Sequence, residues 1–224
     1  MMSSLEPKKS NTSKQRNSCF ITFEGGDGAG KTTLIDRLFS TLSERGQPVI
    51  KTRAPGATAA GVKIRELLLH SNEPLAPLSE LFLFLADRSE HVEKVIAPAL
   101  SCGKIVLCDR FNDSTIAYQG ARGFDVDKLE GLCAFASSGL EPTLTLYLDI
   151  DPKIGLKRCT AENGQADQIE SEDLSFHQKI RSGFLDRQKK RGASFQIIDA
   201  SQSIETVYQE ALKSIDAHCF ATQP

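Results

Sequence analysis

The chain has 224 residues, of which 40% are apolar and 25% charged, and its formal net charge at pH 7 is −2. A chain of this length can bury one substantial core, so we expect a single domain. The nearly balanced charge argues against a surface that binds nucleic acid generally, and no apolar run approaches the roughly 18 residues of a membrane-spanning helix. We therefore expect a soluble, cytoplasmic protein.

The start of the chain differs in composition from the rest. Residues 1–17 hold four of the 27 basic residues and one of the 29 acidic residues, with little apolar content. Such a segment cannot contribute to a core, so we predict a disordered basic tail followed by one domain over residues 18–224. A transit peptide is the alternative, but the amphipathic stripe of such a peptide is missing.

The six cysteines show no spacing typical of a metal site or a redox motif. No C-x-x-C pair occurs, and no histidine lies at a spacing suited to zinc. We therefore expect all six to be reduced, as in an intracellular protein.

The first elements of the domain surround a glycine-rich loop. Cys19 to Glu24 is apolar and β-branched, which predicts a buried parallel strand, and Thr33 to Arg45 has a helical stripe of leucines. Between them, residues 25–32 read Gly-Gly-Asp-Gly-Ala-Gly-Lys-Thr and match the phosphate-binding pattern G-x-x-x-x-G-K-[ST]. In such a loop backbone N–H groups converge on phosphate oxygens, Lys31 would meet the outer phosphates and Thr32 would hold Mg²⁺.

Strand and helix patterns alternate through the rest of the chain. We predict further strands at residues 49–53, 105–109, 144–149 and 195–199. Helical patterns cover about ten residues ending near 70, and residues 78–101, 126–137, 151–158, 176–191 and 204–218. The alternation predicts an α/β fold, a five-stranded parallel sheet with helices on both faces.

Polar residues end several of these strands. In parallel sheets ligands bind at the carboxyl ends of the strands, where Arg53, Asp109, Arg110 and Asp149 fall. The adjacent acid and base at 109 and 110 suit a Mg²⁺ site and a phosphate clamp. For Asp149, which precedes Ile-Asp-Pro, capping of a helix or turn is the favoured interpretation.

With these residues in place, the chain resembles the thymidylate kinases, P-loop enzymes that phosphorylate dTMP with ATP. The resemblance runs from Phe20 to about Val207, and its most specific part is Ser-Thr-Ile-Ala-Tyr-Gln-Gly at residues 114–120, following the Asp-Arg-Phe of residues 109–111. It also includes residues 23–33, 52–56, 146–149 and 198–200. It implies a three-layer P-loop kinase fold with a short lid at about residues 160–175, and a homodimer formed through long helices. The apolar stripe from Leu81 to Ala99 would either serve this pairing or join the core.

The resemblance also implies roles for individual residues. Asp27 would bind the 3′-hydroxyl of dTMP and Arg53 its phosphate, while Phe84 would stack on thymine and Tyr118 lie against the sugar. Arg88, Ser114 and Gln119 would contact the base. ATP would be bound by Gly25, Gly26, Asp27, Gly28, Ala29, Gly30, Lys31, Thr32 and Thr33, with residues 199–202 beside the adenine. Mg²⁺ would lie on Thr32 and near Asp109, and Lys31 and Arg110 would stabilise the transferring phosphoryl group.

Two segments depart from the family pattern. The family sequence Arg-Glu-Pro-Gly-Gly is replaced by Arg53-Ala-Pro-Gly-Ala57, so Arg53 would be held less firmly, and Pro55 is a candidate cis-proline as in the family. The family also places a catalytic arginine in the phosphate loop or the lid. Here the loop has none, and residues 160–175 contain acidic residues but no lysine or arginine. Our hypothesis is that Arg158 takes this role, with Lys157, Arg181 and Arg187 as alternatives.

Three other functions compete with this interpretation. A kinase for a different small acceptor, such as another nucleoside monophosphate, would share most of these residues. A non-catalytic nucleotide-binding protein would explain the acidic lid and the altered Arg53 loop. A GTPase is the weakest alternative, because the chain contains no N-K-x-D string.

Overall fold

The computed structural model describes residues 18–71, 73–163 and 168–220, without the side chains of 160–163. The predicted tail and residues 164–167 of the predicted lid lie outside this part. Five strands form one parallel sheet, as predicted. The strands are β1 (Cys19–Glu24), β2 (Val49–Arg53), β3 (Ile105–Asp109), β4 (Leu144–Asp149) and β5 (Phe195–Asp199). Their order in the sheet is β2-β3-β1-β4-β5.

Helices cover both faces of the sheet. They are α1 (Lys31–Glu44), α2 (Ala59–His70), α3 (Pro77–His91), α4 (Ala97–Ser101), α5 (Asn112–Ala121), α6 (Val126–Ala136), α7 (Pro152–Asn163), α8 (Leu174–Arg191) and α9 (Ile204–Cys219). Because side chains alternate along a strand, Ile21 and Phe23 of β1 pack in a cluster with α1 and α9, whereas Phe20 packs in a second cluster with Ile96. Among the described residues, no helix has the length and apolar content needed to cross a membrane.

The helical pattern predicted for residues 78–101 is interrupted by one wide turn. Between α3 and α4, Val92–Ile96 forms a π-helical segment, and the N–H of Ala97 donates to the carbonyl of Val92. Pro98 has no N–H to give to the preceding turn, which accounts for a change of hydrogen-bond register at this point. The apolar stripe itself is buried within the chain, since Leu81, Ile96 and other members lie in its core clusters. Of the two roles left open for the stripe, the structure supports core packing.

Helix α5 was not predicted. Its first turns consist of buried polar residues, Asn112, Asp113, Ser114 and Thr115, so the sequence shows no apolar stripe there. These polar groups are accommodated by partners from other elements. Asp113, for example, accepts hydrogen bonds from Arg187 at 2.8 Å and Arg191 at 3.1 Å, both on α8.

The expectation that all six cysteines are reduced is wrong for one pair. Cys19, at the start of β1, is bonded to Cys219, at the end of α9, with 5.9 Å between their Cα atoms. The two are 200 positions apart, so their proximity arises only from the packing of α9 against the sheet. Cys102, Cys108, Cys133 and Cys159 are free thiols.

Candidate active site

The glycine-rich loop joins β1 to α1 at the carboxyl edge of the sheet. Gly28 has φ 68°, and a Cβ built on it would lie 2.1 Å from the carbonyl oxygen of Gly155 in α7. Only glycine satisfies both constraints, so α7 can pack directly on the loop. The first turn of α1 follows at once, and its free N–H groups with the positive end of the helix dipole favour a bound anion.

Lys31 is folded back over the loop. Its Nζ donates to the carbonyl oxygens of Gly25 at 3.1 Å and Gly26 at 2.9 Å, and the residue is buried. Burial, and then the charge of Arg110, lower the pKa of Lys31. The ammonium group is therefore held at the loop by two carbonyl groups that a phosphate can replace.

Arg110 and Asp27 form an ion pair across the loop. Arg110 has φ 67° and donates from Nη2 to Asp27 Oδ1 at 2.5 Å and from Nη1 to the Gly25 carbonyl at 2.9 Å. The Tyr118 hydroxyl donates to the other oxygen of Asp27 at 3.3 Å. Burial favours the protonated acid, but the charges of Arg110 and Lys31 outweigh it and lower the pKa of Asp27. Asp27, predicted to bind the 3′-hydroxyl of dTMP, is thus in direct contact with Arg110, predicted to stabilise the transferring phosphoryl group.

Glu24 is a buried residue of the site that the sequence reasoning gave no role. Its Oε1 accepts the backbone N–H of Phe111 at 2.7 Å, and its Oε2 accepts the Ser114 hydroxyl. Burial and the nearby Asp113 carboxylate raise the pKa of Glu24 to about 7. Its place at the end of a buried strand is the signal that would have identified it, as it did for Asp109.

A small cavity opens beside the Asp27–Arg110 pair, with an empty volume of about 660 Å³. Most of the residues predicted to bind dTMP line it, and Thr115 was missed although helical spacing places it beside Tyr118. The other lining residues that were not predicted, such as Arg65, Asp87 and Ile169, belong to no sequence pattern that would mark them as site residues. The lining consists of Asp27, Ala54, Pro55, Arg65, Leu69, Phe84, Asp87, Arg88, Arg110, Ser114, Thr115, Tyr118 and Ile169.

Arg88 presents unused hydrogen-bond donors in this wall. It is 3% exposed and lies over the Phe111 ring, with 4.2 Å from its Cζ to the ring centre. Within the described ranges, its Nε and Nη1 have no hydrogen-bond partner. Because an unpaired buried donor is costly, these atoms mark a place for an acceptor group of a ligand.

Gln119 does not line the small cavity, although the resemblance assigns it to the base. It is fully buried, and its Nε2 donates to Glu80 Oε1 at 2.7 Å. Ser114 lines the cavity, but its hydroxyl already bonds to Glu24 and accepts from Arg110 at 3.3 Å.

The loop preceding α2 forms another part of the wall. The Ala54–Pro55 peptide bond, for which Pro55 was only a candidate, is cis, and Asp87 Oδ1 accepts the N–H of Gly56 at 3.0 Å. Ala54, which stands where the family has glutamate, lines both this cavity and the one described next.

A large cavity lies on the other side of the ion pair, with an empty volume of about 2030 Å³. It contains the glycine-rich loop from Asp27 onward, Asp109 and the exposed Arg53. Arg158 also lines it and donates to the carbonyl of Ala200 at 3.4 Å. Its lining consists of residues 27–34 together with Arg37, Arg53, Ala54, Arg65, Asp109, Arg110, Arg158, Cys159, Ala200, Gln202, Ile204, Val207 and Tyr208.

The alternatives to Arg158 are engaged elsewhere or lie outside this cavity. Arg181 holds Asp149 with two hydrogen bonds, at 2.7 and 2.8 Å, so Asp149 is an ion-pair partner rather than a turn cap. Arg187 holds Asp113 and Glu130. Lys157 is exposed and is not in the lining of either cavity.

The two cavities share Asp27, Ala54, Arg65 and Arg110, so molecules bound in them would meet at these residues. A glycine-rich phosphate loop at the edge of a parallel sheet, with a second cavity opening onto it, defines a P-loop kinase of a small acceptor.

Comparisons with known proteins give the particular family. A family model described as thymidylate kinase matches residues 23–211. The thymidylate kinase of Protochlamydia amoebophila is 45% identical over 206 residues, covering 88% of this chain and 92% of that protein. That of Synechococcus sp. (strain JA-2-3B'a(2-13)) is 52% identical over 166 residues, covering 74% and 78%. The crystal structure of thymidylate kinase from Ehrlichia chaffeensis matches with a TM-score of 0.73 and 36% identity, over 89% of this chain and 99% of that one.

The chain belongs to the thymidylate kinase family. The predicted fold and the predicted class of enzyme, a P-loop nucleoside monophosphate kinase, are thereby confirmed. The roles of individual residues remain predictions.

Proposed function

We propose that this chain transfers the γ-phosphoryl group of ATP to dTMP, giving dTDP and ADP for dTTP synthesis in the cytoplasm. The observation that carries the proposal is the meeting of two cavities at the Asp27–Arg110 pair, with the phosphate loop on one side. ATP occupies the large cavity and dTMP the small one, so the reacting phosphates approach each other beside Arg110. Family membership supports the choice of these two substrates.

On the ATP side, residues 25–33 bind the phosphates through backbone N–H groups and through Lys31. The ammonium group exchanges its two carbonyl partners for phosphate oxygens. Arg158 and Ala200 both line the large cavity, and residues 199–202 would flank the adenine. The bond to the Ala200 carbonyl uses one of the five N–H groups of Arg158, so it does not by itself prevent a contact with the phosphates.

Thr32 and Asp109 are suited to hold Mg²⁺. Thr32 is exposed at the start of α1, and Asp109 Oδ1 is buried without a hydrogen-bond partner among the described residues. The described residues contain no cluster of three or more carboxylate, histidine or cysteine side chains that could hold a metal ion. In the proposed complex, Mg²⁺ is therefore held mainly by the nucleotide phosphates. Mg²⁺ bound there neutralises charge on the phosphate oxygens.

On the dTMP side, Phe84 and Arg88 lie four residues apart on one face of α3 and reach the same ligand. The unpaired donors of Arg88 suit a carbonyl oxygen of thymine. Tyr118 and Asp27 lie where the sugar would sit, with the Asp27 carboxylate accepting the 3′-hydroxyl. Arg53 and Arg110 meet the monophosphate from the side of the large cavity.

Catalysis depends on positioning and charge. The transferring phosphoryl group passes through a loose transition state with negative charge on its outer oxygens. Lys31 and Arg110 stabilise that charge from fixed positions, and Arg158 supplies the guanidinium that the loop and lid lack.

A coupled ADP-release assay with dTMP, dUMP, dCMP or no acceptor tests the proposal. We expect fast ADP release with dTMP, slower release with dUMP, and release with dCMP close to the acceptor-free rate. Faster turnover with another monophosphate would assign a different acceptor. ATP binding without acceptor-dependent ADP release would indicate a non-catalytic nucleotide-binding protein.

We also propose that the enzyme is a homodimer, paired through α3 and α6. These helices pack on each other, yet their outer surfaces carry Leu78, Phe82, Leu132 and Phe135, the last of which is 87% exposed. Apolar side chains so exposed on neighbouring helices mark an interaction surface. Light scattering should give twice the 24.5 kDa chain mass, and Phe135→Ser should lower it. A monomeric wild-type protein at micromolar concentration would contradict this assignment.

A further inference from the structure

Arg110 adopts an uncommon backbone conformation directly after β3. Its φ of 67° falls in the left-handed region, which residues other than glycine seldom adopt. Its side chain lines both cavities, and in the proposed function it meets the transferring phosphoryl group. A conformation of this kind persists only where neighbouring groups hold it, so the partners of Arg110 are part of the catalytic arrangement.

Strand β1 holds the backbone on both sides of the Arg110 Cα. The N–H of Arg110 donates to the carbonyl of Phe23 at 2.9 Å. The next N–H, that of Phe111, donates instead to a side chain, with 2.7 Å to Oε1 of Glu24. A carboxyl group of β1 thus replaces a backbone acceptor at the point where the chain leaves the sheet.

The second oxygen of Glu24 acts on the side chain of Arg110. Oε2 accepts the hydroxyl of Ser114, and the oxygen of this hydroxyl accepts Arg110 Nη1 at 3.3 Å. The link is possible in either protonation state of Glu24, because a protonated Oε2 would donate to the Ser114 oxygen instead of accepting from it. The guanidinium also donates to Gly25 and Asp27, both on the phosphate loop, so Ser114 adds a contact from outside the loop.

Glu24 reaches the reaction only through Arg110. It is 0% exposed and lines neither the small nor the large cavity. We propose that Glu24 is a positioning residue for phosphoryl transfer, whose two oxygen atoms hold the backbone and the guanidinium of Arg110 in place before the substrates bind. A charge that is already in position stabilises the transition state without reorganisation during the reaction. The proposal rests on the proposed function, in which Arg110 stabilises the transferring group.

Glu24→Leu tests the proposal, because leucine fills similar space without an acceptor atom. We expect kcat with saturating ATP and dTMP to fall by about tenfold or more, since the guanidinium is no longer fixed from β1 and α5. Glu24→Gln should keep most of the wild-type kcat, because its amide oxygen can accept the Phe111 N–H and its NH₂ group can donate to Ser114. The matched control is Thr22→Val, which removes another buried hydrogen bond of β1, that with Thr145 at 2.9 Å, and should leave kcat within about twofold of wild type.

A double-mutant cycle separates the positioning of Arg110 from general damage to the site. In an Arg110→Met background there is no guanidinium to hold, so Glu24→Leu should lower the single-turnover rate by less than about twofold. A residue with a merely structural role would cost the same factor in both backgrounds. Should Glu24→Leu fail to fold, Ser114→Ala breaks only the side-chain half of the link, and its loss of kcat, about threefold or more, should likewise disappear without Arg110.

The possible outcomes have different meanings. A folded Glu24→Leu enzyme with wild-type kcat would overturn the proposal, as would an equal loss in the Arg110→Met background or a Glu24→Gln enzyme as slow as Glu24→Leu. A wild-type enzyme without dTMP-dependent ADP release would instead refute the proposed function.

Discussion

Replacing Glu24 by glutamine isolates the energetic effect of one buried carboxyl group in the site. Burial, and then Asp113, raise the pKa of Glu24 from 4.5 to about 7 in the folded protein. Between these two values the folded protein keeps a proton that the unfolded chain releases, so stability falls as pH rises from about 4.5 and levels off above 7. Glutamine cannot ionise, and its amide oxygen can still accept the Phe111 N–H. The variant should therefore lack this loss of stability.

Because of this difference in pKa, the free energy of unfolding of the wild type should fall by about 2 to 3 kcal/mol from pH 5 to pH 8. Urea unfolding of wild type and Glu24→Gln at both pH values measures it, with Glu44→Gln, an exposed change at the end of α1, as the control. The stability of Glu24→Gln relative to wild type should rise by about that amount toward pH 8. An identical difference at pH 5 and pH 8 would show that the pKa of Glu24 is not raised, and the reasoning would be wrong.

Three further predictions concern charge and covalent structure. Lys31→Ala or Arg110→Ala should lower turnover at least about a hundredfold with folding intact, as for the loss of one preorganised donor, and near-normal kcat would contradict the mechanism. Arg158→Ala should slow the chemical step in single-turnover experiments, and an unchanged step would reject its catalytic role. Cys219→Ser should remove up to about 5 kcal/mol of unfolding free energy, the chain-entropy value for so long a loop, and reductant should lower the Tm of wild type only.

The sheet and the phosphate loop were predictable because their signals are local. Buried parallel strands are apolar runs, and the loop needs glycines at fixed spacing before a lysine, so both can be recognised without knowledge of the fold. Helix α5 was not predictable in this way. Its buried polar residues are satisfied by distant partners, as Asp113 is by Arg187 and Arg191, and its sequence alone resembles a loop.

The same distinction applies to the site. Strand ends and the family motifs predicted many of the residues that line the two cavities, including Phe84 and Arg88. Arg158, which lines the large cavity, was proposed because the loop and the lid lack the family's arginine. Contacts between elements could not be predicted. The Asp27–Arg110 pair joins residues 83 positions apart, and the hydrogen bond from Gln119 to Glu80 spans 39. The disulfide could not be predicted for the same reason, because Cys19 and Cys219 are brought together only by the packing of α9 against the sheet.

The Cys19–Cys219 bond makes most of this chain a covalent ring. A single cut by a protease between these positions would not release a fragment. It would open the ring into a two-part molecule whose pieces separate only after reduction. Ser18 and Phe220, the residues just outside the ring, leave it at adjacent points, so in the oxidised protein the two ends of the domain stay together even when the polypeptide between them is broken.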